Sequence, residues 1–205
     1  ASVAFGGDWR RESIDGSVDP IYESGWLYGN YKVTKGDYNV KEGYVEVDLP
    51  VWKGVDIDAA GRYTDYSTSG SVETWKAGAT YTPIDDIKFR GTYSHDIRAP
   101  NLSELYAAGT ARTNTVVLPS NAPLTGSQGF TQNSVGNPNL LPERANTFTI
   151  GTVISPRFIP GFTASFDYYD IVIKDAIGSV TAQNTVDFCY SGGAQYCNNI
   201  SYVNG

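Results

Sequence analysis

Seven stretches of this chain alternate apolar and polar side chains with a period of two. The cleanest, residues 55–66, places Val55, Ile57, Ala59, Gly61 and Tyr63 on one face and Asp56, Asp58, Ala60, Arg62 and Thr64 on the other. Only an extended strand puts alternate residues on opposite faces, so this stretch is expected to be a strand with one apolar side. Residues 71–82 repeat it, with Trp75, Ala77, Ala79 and Tyr81 against Thr74, Lys76, Gly78 and Thr80. Residues 40–51 oppose Val45, Val47 and Leu49 to Glu46 and Asp48; residues 87–95 oppose Phe89, Gly91 and Tyr93 to Lys88, Arg90, Thr92 and Ser94. Residues 2–11, 145–155 and 162–174 complete the set, the last losing its alternation toward Ile171 and Ile173. The pattern predicts an all-β chain, an antiparallel meander of about seven strands.

The connections sort by length. Short turns are expected at 52–54, 82–86 and 156–161, all at one end of the strands, with another at 67–70 opposite. The long connections, near 12–39, 97–142 and 175–205, fall together at that opposite end. Pro100 and Pro142 bracket the second, and each removes a backbone donor and disfavours helix in the residue before it. A structureless stretch of this length is usually functional or disordered. Short turns at one end and long loops at the other suit a transmembrane barrel. Asp56, Asp58, Arg62, Lys76, Lys88, Arg90 and Asp167 would then line the lumen, and faces edged by Tyr63, Trp75, Tyr81 and Tyr93 would meet lipid. A secreted, soluble β-sandwich used for binding or adhesion gives the same alternation, and the pattern leaves both open.

Composition changes this picture little. The chain has 22 Gly, 15 Tyr and no Met, which suits aromatic-rich strands and turns. No window resembles a membrane helix, and a mean hydropathy of −0.30 says nothing against a barrel, in which only alternate residues meet lipid. The formal net charge of −7, without a basic stripe, argues against nucleic acid as a partner. Cys189 and Cys197 close a short polar segment and fit a disulfide formed in an oxidising compartment, free thiols being the other reading.

Two motifs border the long central connection: YSHDIRAPNLSELY (93–106) and GNPNLLPERANTFTIG (136–151). With IPGFTASFDYYDIVIKDAI (159–177), YNVKEGYVEVDLPV (38–51) and AAGRYTDYSTSGSVETWKAG (59–78), they resemble, in matching order, barrel strands of TonB-dependent outer-membrane receptors. The resemblance covers nearly the whole chain. It implies a segment of the C-terminal barrel domain of a receptor in the Gram-negative outer membrane. Such receptors import a scarce nutrient (siderophore, carbohydrate, cobalamin or peptide), driven by TonB acting on a plug domain. No plug or TonB-contacting segment is matched here. Barrels of this type have 22 strands and a plugged lumen, and an open edge in lipid leaves backbone groups unsatisfied. The abrupt start, the end inside a polar stretch and the lack of methionine agree with a piece of a longer protein. Its partners would be outer-membrane lipid, the remaining barrel and plug, TonB through that plug, and the substrate.

Candidate functional residues follow from these motifs. Tyr22, Trp26, Tyr28 and Tyr31 offer aromatic faces beside polar neighbours, for stacking on a sugar or chelate or for packing the loop. Arg98 and Tyr106 are further candidates for ligand contact. The motif residues Arg98, Ala99, Pro100, Asn101 and Glu104, and Gly136, Asn137, Pro138, Asn139, Leu140, Pro142 and Glu143, suit anchoring of the central connection at the barrel rim as well as substrate contact. Asp56 with Asp58 and Asp85 with Asp86 could be paired carboxylates of a glycosidase, but the first pair fits a wall and the second a turn. His95 beside Asp96 lacks a nucleophile or further ligands. No catalytic residue, metal site or cofactor is expected.

Overall fold

Alternation becomes pairing in a computed structural model that describes residues 1–24 and 30–202. In chain order the elements are β1 (Ser2–Asp15), α1 (Pro20–Glu23), β2 (Asn30–Tyr31), β3 (Lys35–Trp52), β4 (Val55–Tyr66), β5 (Gly70–Ile84), β6 (Ile87–Arg98), α2 (Leu102–Tyr106), β7 (Thr110–Leu118), β8 (Gly126–Asn133), β9 (Glu143–Ile154), β10 (Ala164–Lys174), α3 (Ala182–Tyr190) and α4 (Ala194–Cys197). They divide into two compact units. The first takes Ala1–Ile14, Gly36–Leu105 and Pro138–Ile177; the second takes Asp15–Lys35, Tyr106–Asn137 and the chain from Gly178 onward.

The first unit is a seven-stranded sheet in the order β1-β3-β4-β5-β6-β9-β10, with the consecutive pairs whose register is defined all antiparallel. All seven expected strands are present. Gly54 turns β3 into β4 at φ +77, where a Cβ would lie 2.4 Å from the carbonyl oxygen of Thr82, so only glycine fits. Pro83 does not end its strand as expected. The pairing shifts between Tyr81 and Ile84, and that irregularity absorbs the missing donor.

Register settles which side chains share a face. Asp56, Asp58, Arg62, Lys76, Lys88, Arg90 and Asp167 fall on one side, as expected. There Glu42 lies between Arg10 at 3.2 Å and Arg62 at 3.5 Å, and Lys76 reaches Asp58 at 3.4 Å. Arg90 of β6 reaches across β9 to Asp167 of β10, donating at 2.8 and 2.6 Å. The residue between them in register is Gly151, and a Cβ there would collide with the Asp167 carboxylate.

The other face is apolar and open. Ile57, Phe89, Phe148 and Ile150 are all exposed, Ile150 at 53%. A soluble sandwich would cover these side chains with a second sheet, and the sandwich alternative is not favoured. The aromatic edge of this face runs obliquely. From Tyr63 on β4 it drops two residues to Trp75 on β5 and two more to Tyr93 on β6, stays level to Phe148, then drops again to Tyr168 on β10. Tilted strands with staggered register produce this slant when a sheet curls into a barrel.

The second unit corrects the expectation of featureless loops. The long central connection folds into α2 and a β7–β8 hairpin, which forms a three-stranded sheet with β2. Thr113, Thr115, Val116 and Val117 explain the hairpin, since β-branched side chains fit a pleated surface. Residues beyond Asp175, read as polar and irregular, contain α3 and α4. Thr181 caps α3 by accepting from the Asn184 amide at 3.1 Å. Gln183 then binds β7 like a short strand, donating to the Val117 carbonyl at 2.9 Å and accepting from its amide at 2.8 Å.

Candidate functional site

The two sequence motifs meet at one end of the first sheet. Arg98, the last residue of β6, is paired in register with Glu143, the first of β9. The guanidinium donates through Nε to Oε2 at 2.8 Å and through Nη2 to Oε1 at 2.9 Å, the two-pronged match of planar fork to carboxylate. Its Nη1 donates to both oxygens of Glu104, at 3.1 and 3.0 Å. One arginine thus joins two strand ends to the helix that follows.

Glu104 has a second task. Its carboxylate accepts from the Asn101 amide at 2.8 Å, and the Asn101 side chain accepts from the Glu104 amide at 2.8 Å. This reciprocal cap satisfies donors that open a helix, with asparagine in the capping position and glutamate three residues on. The Arg98 hydrogen bonds, opposed by partial burial and helped by the Asn101 amide, hold the Glu104 carboxyl below the usual carboxylate range. Pro100 and Leu105 are fully buried on either side of this cap. Glu143 also accepts from the Ile177 amide at 2.6 Å, fixing the chain just after β10. Ala99 continues Arg98 into the buried Pro100, Pro138 and Asn139 form a turn, Leu140 follows, and the buried Pro142 leads into β9.

In the second unit Tyr22 of α1 meets Tyr31 of β2 edge-on, ring centroids 6.1 Å apart at 89°. Trp26 and Tyr28 lie outside the described residues. Tyr31 borders a concavity of ≈ 700 Å³ with Lys32, Arg112, Asn114 and Gln132. The last two are mutually bonded at 2.8 Å, and Gln132 also donates to Ser134 at 3.2 Å. Lys32, Arg112 and Gln132 were not among the expected site residues, because β7 and β8, which carry the last two, and the segment holding Lys32 were expected to be loop. Tyr106 closes α2, and Gly136 donates its amide to the Ala107 carbonyl at 2.7 Å. Cys189 and Cys197 are joined in a disulfide, with Cα atoms 4.8 Å apart.

Asp85, Asp86 and His95 are held in structural contacts. Asp85 and Asp86 meet Arg157 of the neighbouring turn at 3.6 and 2.7 Å. His95 contacts the Asn146 amide oxygen through Nδ1 at 2.7 Å, on the apolar face.

A family model, TonB dependent receptor-like, beta-barrel, matches residues 1–204. This chain belongs to the TonB-dependent receptor β-barrel family. Its members are outer-membrane β-barrels. The chain is 27% identical over 208 aligned positions to a hemin receptor of Yersinia enterocolitica, covering 98% of this chain and 24% of that receptor. It therefore spans about a quarter of the length of that curated relative. Among solved structures, the siderophore receptor PirA of Acinetobacter baumannii is similar at TM-score 0.63 and 21% identity, over 85% of this chain and 24% of that one. The ferric enterobactin receptor PfeA of Pseudomonas aeruginosa, in a complex with enterobactin, is similar at TM-score 0.62 and 14% identity, over 84% of this chain and 24% of that one. The likeness to these structures is one of fold.

Proposed function

We propose that this chain forms part of the wall and the outer loops of a TonB-dependent receptor that imports a ferric siderophore by energised transport. The observation that carries the reading is the two-sided sheet: ion pairs on one face, an open apolar face with an oblique aromatic edge on the other. The polar face then lines the lumen and the apolar face meets outer-membrane lipid. The connections near 12–39, 97–142 and 175–205 face the exterior, and the whole chain serves a single barrel domain. Plug and TonB contact belong to the rest of the polypeptide. The Arg98–Glu143–Glu104 cluster anchors the central loop at the rim, so Arg98 acts through position. Substrate contact falls to the loops, with Tyr22 and Tyr31 as an aromatic surface.

The hemin relative raises haem as a rival cargo. Protein ligands to haem iron are histidine, methionine, thiolate or tyrosine. The sequence holds one histidine and no methionine. His95 lies on the apolar face against Asn146, and both cysteines are in the disulfide. Tyrosine, with 15 in the sequence, is the haem ligand the chain still offers. What supports a ferric siderophore as cargo is that the solved neighbours are siderophore receptors. The test is accumulation of radiolabelled iron, supplied as ferric siderophore or as hemin, by cells expressing the whole receptor. Siderophore uptake that stops when TonB is deleted is expected. Hemin uptake alone would overturn the cargo, and uptake indifferent to TonB would overturn the mechanism.

A further inference from the structure

The apolar face ends in two cations set side by side. Arg144 of β9 and Lys174 of β10 are directly opposite in register, and both are exposed. Like charges facing each other across a strand pair destabilise it. A carboxylate between them would relieve this, yet the ion pairs among the described residues leave both cations out. Among the described residues, the nearest acids on the same face of this sheet are remote. Asp170 lies four residues back along β10, about 13 Å, and Glu73 two strands away, about 10 Å.

Their height on the wall supplies the missing partner. Along β9 the apolar face reads Ile150, Phe148, Asn146 and Arg144: aliphatic, aromatic, amide, cation. That is the order of a bilayer from hydrocarbon through interface to headgroup. Arg144 lies four residues beyond Phe148, about 13 Å along the strand, or about 10 Å along the membrane normal for the tilt of a barrel strand. Phosphate groups lie at that level. A guanidinium fork grips phosphate in two-pronged fashion, and a lysine on a flexible stem swings to the same anion.

We infer that Arg144 and Lys174 form a binding site for the headgroup phosphate of a lipid in the leaflet surrounding the long-loop end of the wall. The inference rests on the reading that the apolar face meets lipid. The anion replaces the absent carboxylate and turns cross-strand repulsion into a shared contact. One bound lipid thereby ties β9 to β10 from outside, at the level where Arg98 and Glu143 tie β6 to β9.

The test is native mass spectrometry of the whole receptor in detergent, titrated with bisphosphorylated lipid A, with dephosphorylated lipid A and with inorganic phosphate. Each basic residue near an anionic surface is worth about 5-fold in binding, so an Arg144→Gln, Lys174→Gln double variant should hold bisphosphorylated lipid A roughly 30-fold more weakly. Dephosphorylated lipid should bind weakly and equally to both proteins. Removing like charges relieves repulsion, so the variants should fold, as circular dichroism of the same samples checks. Unchanged retention of bisphosphorylated lipid A by the double variant overturns the site. Inorganic phosphate that competes at equal concentration makes it a free-phosphate site and overturns the lipid assignment. If the wild-type receptor binds neither lipid, the lipid-facing reading falls as well; if it binds both equally, only the phosphate site falls.

Discussion

Replacing Ile150 by arginine tests the assignment of faces most directly. Ile150 is 53% exposed, midway along the apolar face of β9, with Tyr168 and Gly91 opposite it on the neighbouring strands. If lipid covers that face, the guanidinium sits in the hydrocarbon about 5 Å inside the aromatic edge at Phe148, at a cost of about 1–3 kcal/mol, or roughly 5- to 150-fold in the assembly equilibrium. Were the side chain in water, an exposed isoleucine replaced by arginine would change stability by less than about 0.5 kcal/mol. The two expectations are far enough apart to measure. The assay is denaturant-dependent assembly of the whole receptor into vesicles, compared for wild type, Ile150→Arg and Thr147→Arg. Thr147 is three residues earlier on the same strand and belongs to the polar face. The expected result is a large loss for Ile150→Arg and a small one for Thr147→Arg. Equal assembly of Ile150→Arg and wild type, or the reverse order of the two variants, would refute the reasoning.

Other expectations follow from the contacts. Arg98→Ala should detach the central loop while leaving the strands paired, seen as faster hydrogen exchange at 101–106 with little change in β5. Lowering pH should act on the same anchor: the Glu104 carboxyl is depressed in the folded state, so its contribution is complete above the unfolded value near about 4.3 and is lost as pH falls through the folded value. Exchange rates at 101–106 that stay flat from neutral pH to pH 3, after correction for intrinsic chemistry, would contradict this. Cys189→Ser should weaken the α3–α4 segment by about 2.5 kcal/mol on a chain-entropy estimate, with β7 losing protection through Gln183. Gln183→Ala should cost only about 1 kcal/mol locally, because the Val117 backbone it leaves is exposed and water replaces both partners.

The sheet was legible in the sequence because a face-sorted strand writes its period into every second residue. Val55 to Tyr66 needed nothing further, and the polar set from Asp56 to Asp167 fell on one side as read. The central connection was not legible for a related reason. The run from Thr110 to Leu118 is mostly Thr, Asn and Val on both sides, so period two does not separate its faces, and its β-branched content was the only available signal. The slant of the aromatic edge was hidden too, since it exists only between strands, in register. Of the site, the motif residues were visible but their geometry was not. That Arg98 is spent on two carboxylates follows from where β6 and β9 stop, and sequence spacing of 45 residues does not encode that meeting.

Gly151 carries a mechanical consequence. By lacking a side chain it lets Arg90 and Asp167 clasp across an intervening strand, so three strands are stitched at right angles to their length. Sliding β10 past β9 by one face-preserving step would carry Asp167 about 6.6 Å from its partner and undo the stitch. Backbone pairing alone leaves such a slip open between two registers that bury the same face. A bare glycine flanked by opposite charges is thus a rivet against shear, set where a larger side chain would have left the strands joined by backbone alone.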